Sequence, residues 1–127
     1  MSVEKLLPSK YGYSNVAISS GRLAFIAGQI AEDEDGAFVG RHDFDAQIRQ
    51  VFLNLRTILS HLNASSDDVV KLNYYIVDLA PARLAAVRVA RDALFESPLK
   101  PASTLIGVAA LFKPDALIEV EMVVHQP

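Results

Sequence analysis

The sequence predicts an α+β protein, a two-layer sandwich in which two helices cover one face of a mostly antiparallel sheet. Three observations predict this class. Apolar residues recur at helical spacing in the middle of the chain, short runs rich in β-branched residues flank that segment, and the elements follow the order β-β-α-β-α-β-β. A chain of 127 residues fits one domain, which we expect to span residues 1–127.

The first elements are extended. Residues 1–10 contain Pro8 and are interpreted as an irregular arm. Tyr13–Ser19 and Arg22–Ala27 are predicted strands, and Ser20-Gly21 between them is typical of a hairpin turn.

A glycine and an acidic segment follow these strands. Gly28 interrupts the apolar pattern, which favours a β-bulge or the close approach of another group to the backbone. Glu32–Gly36 contains an Asp-x-Asp-Gly fragment but lacks the later ligands of a calcium loop, so we predict a solvated turn.

The clearest element is an amphipathic helix over about residues 45–62, which Asp43 or Asp45 can cap. Its apolar side carries Ile48, Val51, Phe52, Leu55, Leu59 and Leu62. Asn63 suits a left-handed residue that ends the helix. Val69–Val77 is rich in β-branched and aromatic residues and is predicted to be a central strand.

The second half of the chain predicts another helix and two strands. Asp78 is a candidate cap for a helix that has Pro81 in its first turn and runs to about Phe95. The segment Ala102–Met122 then reads as a hairpin, with its tight turn at Lys113-Pro114-Asp115.

Two helices of this length can cover only one face of the sheet, yet several predicted strands are apolar on both faces. These strands are Leu23–Ile26, Val69–Val77 and Leu105–Leu111. The uncovered face is therefore expected to be an apolar patch that associates with other copies of the chain. Ligand clefts are then expected where the copies meet.

Composition excludes several classes of function. A net charge of −3 with scattered basic residues disfavours a nucleic-acid surface. The sequence contains no cysteine, so thiol catalysis and disulfides are excluded, and the three histidines lack metal-ligand spacing. We expect no metal and no cofactor. The first ten residues carry no apolar segment typical of a secretory signal, and no run is long enough to span a membrane, so a cytoplasmic protein is expected.

The last predicted strand places Glu119 and Glu121 on one face, because side chains alternate along a strand. Two readings stay open at this point: a solvated strand face, or at least one carboxylate that lies in a cleft.

Several short strings in a fixed order give the chain its resemblance to the RidA family, also called YjgF or endoribonuclease L-PSP. They are Gly12-Tyr13-Ser14, Phe25-Ile26-Ala27-Gly28-Gln29-Ile30, Gln47-x-x-Gln50-Val51-x-x-Asn54-Leu55, Asp68-Val69-Val70-Lys71, Pro101-Ala102, Val108-Ala109-Ala110-Leu111 and Ile118-Glu119-Val120-Glu121. The resemblance implies a chorismate-mutase-like fold that forms homotrimers, with ligand clefts between subunits.

The resemblance also implies site residues. Tyr13, Gly28 and Glu119 match the tyrosine, glycine and glutamate of the deaminase branch, in which the glutamate handles the water that hydrolyses an imine. The arginine that clamps the substrate carboxylate in that branch does not carry over, because Ser103 stands at its position. The chain thus resembles an arginine-less branch.

Three further residues complete the predicted substrate-binding set. Ser103 and Thr104 each offer a hydroxyl for a hydrogen bond, and Arg88 is a candidate replacement charge on the second helix.

Three functions are weighed on this basis. The preferred one is a small-molecule hydrolase or deaminase that acts on a reactive imine or enamine and is not a standard 2-iminoacid deaminase. The alternative is a trimeric module that binds a small molecule without turnover. An endoribonuclease is less favoured, because the chain is acidic and has no paired histidines.

Overall fold

The computed structural model describes residues 3–127, over which the chain forms two α-helices and six strands. In chain order these are β1 Val3–Pro8, β2 Ser14–Ser19, β3 Leu23–Gln29, α1 Phe44–His61, β4 Val69–Val77, α2 Pro81–Leu94, β5 Ala102–Val108 and β6 Ile118–His125. Both helices pack on one face of the sheet, so the predicted α+β class is confirmed.

The six strands form one mixed sheet in the order β1-β2-β5-β4-β6-β3. Strand β5 runs parallel to β4 and meets β2 in parallel at Ser14 and Ala102, whereas the other three pairs are antiparallel. The prediction of a central strand is confirmed, because β4 pairs with β5 on one side and with β6 on the other.

The predicted hairpin around Ser20-Gly21 is wrong. Strand β2 pairs with β1 and β5, whereas β3 pairs with β6 near the other end of the strand order. The reason lies in the segment interpreted as an irregular arm, which forms the edge strand β1 over its described residues and pairs with β2. Pro8 is the last residue of that strand, where its missing N–H is tolerated. Residues 1–2 of the predicted arm lie outside the described residues.

The predicted closing hairpin is also wrong, although both of its strands exist. Strands β5 and β6 are separated by β4, and residues 109–117 carry the chain across it. The predicted turn at Lys113-Pro114-Asp115 is present within that connection, where the Ala116 amide donates to the Lys113 carbonyl at 3.1 Å. A turn signal alone does not show which strands pair.

Helix α1 begins and ends as its sequence predicts. The Asp43 side chain caps it by accepting from the Ala46 amide at 3.0 Å, and Asn63 is left-handed with φ 53°. Helix α2 differs at its start, because Asp78 is itself left-handed and Ala80 occupies the cap position without a side-chain bond. Pro81 is the first helical residue, where no amide donor is needed.

The core lies between the helices and one face of the sheet. Its largest fully buried side chains include Leu55, Leu72, Ile76, Ile118 and Val120. The helices among the described residues fall short of the length and apolar character that crossing a membrane requires.

The other face of the sheet, which we call the open face, is not covered by either helix of the described residues. The register places Asn73 and Tyr75 of β4 on it, level with Glu121 and Glu119 of β6. Phe25 of β3 is 76% exposed there. The face therefore mixes apolar and polar side chains and is not the uniformly apolar patch that the sequence suggests.

Candidate functional site

Gly28 and Glu119 meet on the open face. The register of β3 against β6 shifts between Ile26 and Gln29, so Gly28 lies in the irregularity that its sequence context predicts. A Cβ added to Gly28 would lie 2.2 Å from Glu119 Oε2. The glutamate carboxylate therefore lies directly against the glycine backbone, in space that only glycine leaves open.

The surroundings of Glu119 disfavour its ionised form. Burial, and then the nearby Glu121 carboxylate, raise the pKa of Glu119 above its usual value. Glu121 itself accepts hydrogen bonds from the Tyr75 hydroxyl and from Asn73 Nδ2. Of the two carboxylates on this face, Glu121 is therefore anchored by neighbours, whereas Glu119 makes no side-chain hydrogen bond to a described residue.

Gly28 also borders a wide open groove of about 750 Å³ between the acidic turn and α1. The turn is ordered by Asp33, whose Oδ1 accepts from the amides of Asp35 and Ala37 at 3.0 and 2.9 Å. This arrangement confirms the predicted turn, and the described residues contain no group of three potential metal ligands.

Tyr13, Ser103 and Arg88 meet in a second place. They line a cavity of about 230 Å³ enclosed by α2, β5 and the turn between β1 and β2. Ser103 faces the helices because it pairs with the buried Leu72 in the parallel register. The Ser14 side chain fixes the turn by donating to the Lys100 carbonyl at 2.6 Å.

Arg91 and Tyr74 are polar residues of this cavity that were not predicted from the sequence. Arg91 follows Arg88 by three residues, and this spacing alone places both on one side of α2. Tyr74 lies on the core face of β4 and reaches the same cavity. Its position within a run of apolar strand residues gave no sign of a polar role.

Thr104 lies apart from both groups. It faces away from Ser103, as alternation along a strand requires, and its hydroxyl accepts from Lys71 Nζ at 3.1 Å. The register places it level with Asn73, on the same open face as Glu119.

The predicted site residues therefore form two groups on opposite faces of one sheet. Gly28 and Glu119 lie on the open face, and Tyr13, Ser103 and Arg88 lie on the helix side. A small ligand within one chain cannot touch both groups, because the sheet stands between them.

Known proteins share both the sequence pattern and the fold of this chain. The family model described as endoribonuclease L-PSP matches residues 4–126. A RutC family protein from Pyrococcus horikoshii is 33% identical over 120 residues, which cover 94% of this chain and 91% of the relative.

Two further similarities bear on the fold and the chemistry. A crystal structure of a Rid family protein from Yersinia pestis, of unknown function, has a TM-score of 0.90 and 37% identity over 98% of both chains. A protein from Dermatophagoides farinae named 2-iminobutanoate/2-iminopropanoate deaminase is 28% identical, over 94% of this chain and 90% of its own. With the family model matched along nearly its whole length, the chain belongs to the endoribonuclease L-PSP family, which includes the RidA and RutC proteins.

Proposed function

We propose that this protein is a small-molecule hydrolase that deaminates a reactive imine or enamine in clefts between the subunits of a homotrimer. The observation that carries the proposal is the separation of the site residues into two groups on opposite faces of the sheet. Assembly of copies is the means by which a helix-side group of one chain faces the open-face group of its neighbour. The deaminase name of one relative supports the reaction class.

The chemistry assigned to Glu119 is the handling of water. Water adds to the imine carbon, its protons pass to nitrogen, and the C–N bond breaks to leave a carbonyl compound and ammonia. A carboxyl with a raised pKa is better suited to accept and return these protons than one with an ordinary pKa. Since Glu119 has no side-chain partner among residues 3–127, it is free to take this role.

The remaining residues are assigned to binding. Tyr13 lines the cavity beside Ser103, whose hydroxyl supplies one hydrogen bond. Gly28 gives close access to its backbone next to the Glu119 carboxylate. Arg88 is exposed at the edge of the cavity, and Thr104 is available on the open face.

Ammonia release from a panel of freshly generated imines and enamines, among them 2-aminoacrylate as the standard 2-imino acid precursor, tests the proposal. The wild type is expected to release ammonia faster than buffer does, and Glu119→Gln to lose at least about a hundredfold of that activity, as general acid–base residues do. Glu96→Gln is the matched control, because Glu96 is an exposed glutamate in the segment that follows α2. Wild-type protein without activity on any imine tested, or an active Glu119→Gln variant, would contradict the proposal.

Ser103 supports a second candidate, a trimeric module that binds a small molecule without turnover. A neutral, short side chain at this position cannot clamp a carboxylate with two charged hydrogen bonds. A thermal-shift screen of small acids and amines separates the two functions. Ligands that raise Tm in a protein without ammonia release favour the binding module.

A further inference from the structure

The cavity enclosed by α2, β5 and the β1–β2 turn contains a partly buried charge. Arg91 of α2 lines it, and only 17% of its side chain is exposed. Its Nη1 donates to the Tyr11 carbonyl at 2.9 Å, and its Nε donates to Asp92 Oδ1 at 3.0 Å. Arginine carries five N–H donors, so three of them remain for another partner.

Gly12 fixes where this guanidinium lies. A Cβ at this position would approach three guanidinium atoms of Arg91 to 2.6 Å, and Gly12 has φ +86°. The guanidinium therefore lies flat against the backbone of the β1–β2 turn, in space that exists only because the residue is glycine. Arg91 is held in place before any ligand arrives.

Tyr74 brings an unused hydroxyl to the same cavity. The residue is 3% exposed, and its Oη is buried without a hydrogen-bond partner among the described residues. Burial raises the pKa of this hydroxyl, and it outweighs the opposing effect of the Arg91 charge. The hydroxyl therefore keeps its proton and is a donor. Buried donors without acceptors are rare and costly, so an acceptor placed in this cavity would satisfy the Tyr74 hydroxyl.

We propose that this cavity binds the carboxylate of a small ligand through Arg91 and the Tyr74 hydroxyl, with Ser103 as an additional donor. The charge that strand β5 lacks at Ser103 thus comes from helix α2. This inference deepens the proposed function, because it names a carboxylate as part of the substrate. It rests on the proposed function only in that it places the carboxylate in the same ligand cleft.

The rest of the cavity defines the size and character of the ligand. Leu84, Val87 and Leu105 supply its apolar wall. Its volume of about 230 Å³ is below the range of drug-sized sites, which begins at roughly 300 Å³. We therefore assign a small carboxylic acid with a short apolar chain.

Calorimetric titration with isobutyrate, and with isobutyramide as its uncharged isostere, tests the assignment without turnover. Wild-type protein is expected to bind isobutyrate and to bind isobutyramide at least about tenfold more weakly. Arg91→Gln is expected to weaken isobutyrate binding by about tenfold or more. Arg49→Gln is the matched control, because it removes the same charge from the exposed face of α1. Equal binding by Arg91→Gln and Arg49→Gln would overturn the proposal, as would a loss seen in Arg88→Gln instead of Arg91→Gln.

Tyr74→Phe provides a second test that does not depend on how well the arginine variants fold. Removing a hydroxyl that has no partner is expected to raise Tm by about 2–6 °C while isobutyrate binding weakens severalfold. A purely structural hydroxyl gives the opposite Tm shift and unchanged binding, which overturns the assignment. Binding that follows these expectations in a protein without ammonia release refutes only the proposed function. Ammonia release with binding insensitive to Arg91 refutes only this inference.

Discussion

At the scale of single residues, the site depends on close contact between Gly28 and Glu119. The sequence pattern predicts that Gly28 lies at a bulge or beneath another group, and the structure shows both. The identity of that group was not predictable, because β3 and β6 are far apart in sequence. Arg91 and Tyr74 were missed for a related reason. The spacing of residues on a helix and the apolar pattern of a strand do not show which side chains of different elements line one cavity.

The raised pKa of Glu119 makes a prediction about stability. The folded state holds this proton more tightly than the unfolded chain does, so the free energy of unfolding falls as pH rises through the unfolded pKa. Glu119→Gln has no carboxyl to ionise and therefore does not lose this free energy of unfolding. The variant is expected to be slightly more stable than wild type at pH 7. The difference should vanish below about pH 4, where the carboxyl is protonated in both states.

Urea denaturation of both proteins at pH 7 and in acid measures this difference. Glu96→Gln is the control, since it changes an exposed carboxyl in the segment that follows α2. A Glu119→Gln variant less stable than wild type at pH 7 would show that the ionised carboxylate stabilises the fold, which contradicts a pKa raised by burial and by the Glu121 charge.

At the scale of elements, the helices and individual strands were largely predictable, but their pairing was not. Periodicity marks α1 and β4 because each buries one face against the core. The two predicted hairpins are wrong because a short connection or a turn sequence does not specify which strands pair in the sheet. In this chain β1 pairs with β2, and β4 inserts between β5 and β6.

Gln47 shows how one side chain joins distant elements. It is fully buried on α1, where Nε2 donates to the carbonyls of Gly40 and Asp115, and Oε1 accepts from the Leu117 amide. These bonds tie the helix to the connection between β5 and β6.

Gln47→Leu is therefore expected to lower the free energy of unfolding by about 3 kcal/mol, because it leaves buried backbone groups unpaired. Gln50→Leu, one turn along the same helix, is the control and should cost about 1 kcal/mol or less. Urea denaturation measures both. Equal decreases in the free energy of unfolding of the two variants would show that the buried hydrogen bonds of Gln47 contribute no more to stability than those of Gln50.

At the scale of the whole molecule, the open face is the surface of the sheet that a single chain does not cover. The sequence contains more apolar strand faces than two helices can cover, which indicates association between copies of the chain. In the structure the uncovered face carries both polar side chains and the exposed apolar residues Phe25 and Ile106. Polar residues on this face were not foreseen as a group, because the register that aligns β4 with β6 is a property of the sheet.

The proposed homotrimer predicts a sharp difference between two surface substitutions. Phe25→Asp places a charge on the open face and is expected to yield monomers, because a buried unpaired charge is costly. Val89→Asp is the matched control, since Val89 is 73% exposed on the outer side of α2. Analytical ultracentrifugation should give three times the 13.8 kDa chain mass for wild type and Val89→Asp. A wild-type monomer, or a Phe25→Asp variant that stays assembled, would contradict the prediction.

The central claim is that the two groups of site residues meet across a subunit boundary around one ligand. A crystal structure of the assembled protein with 2-oxobutanoate tests it most directly. We predict ligand density that contacts Ser103 and Arg91 of one copy and lies beside Glu119 and Gly28 of its neighbour. Ligand bound only elsewhere, or an assembly in which these two groups face away from each other, would contradict it.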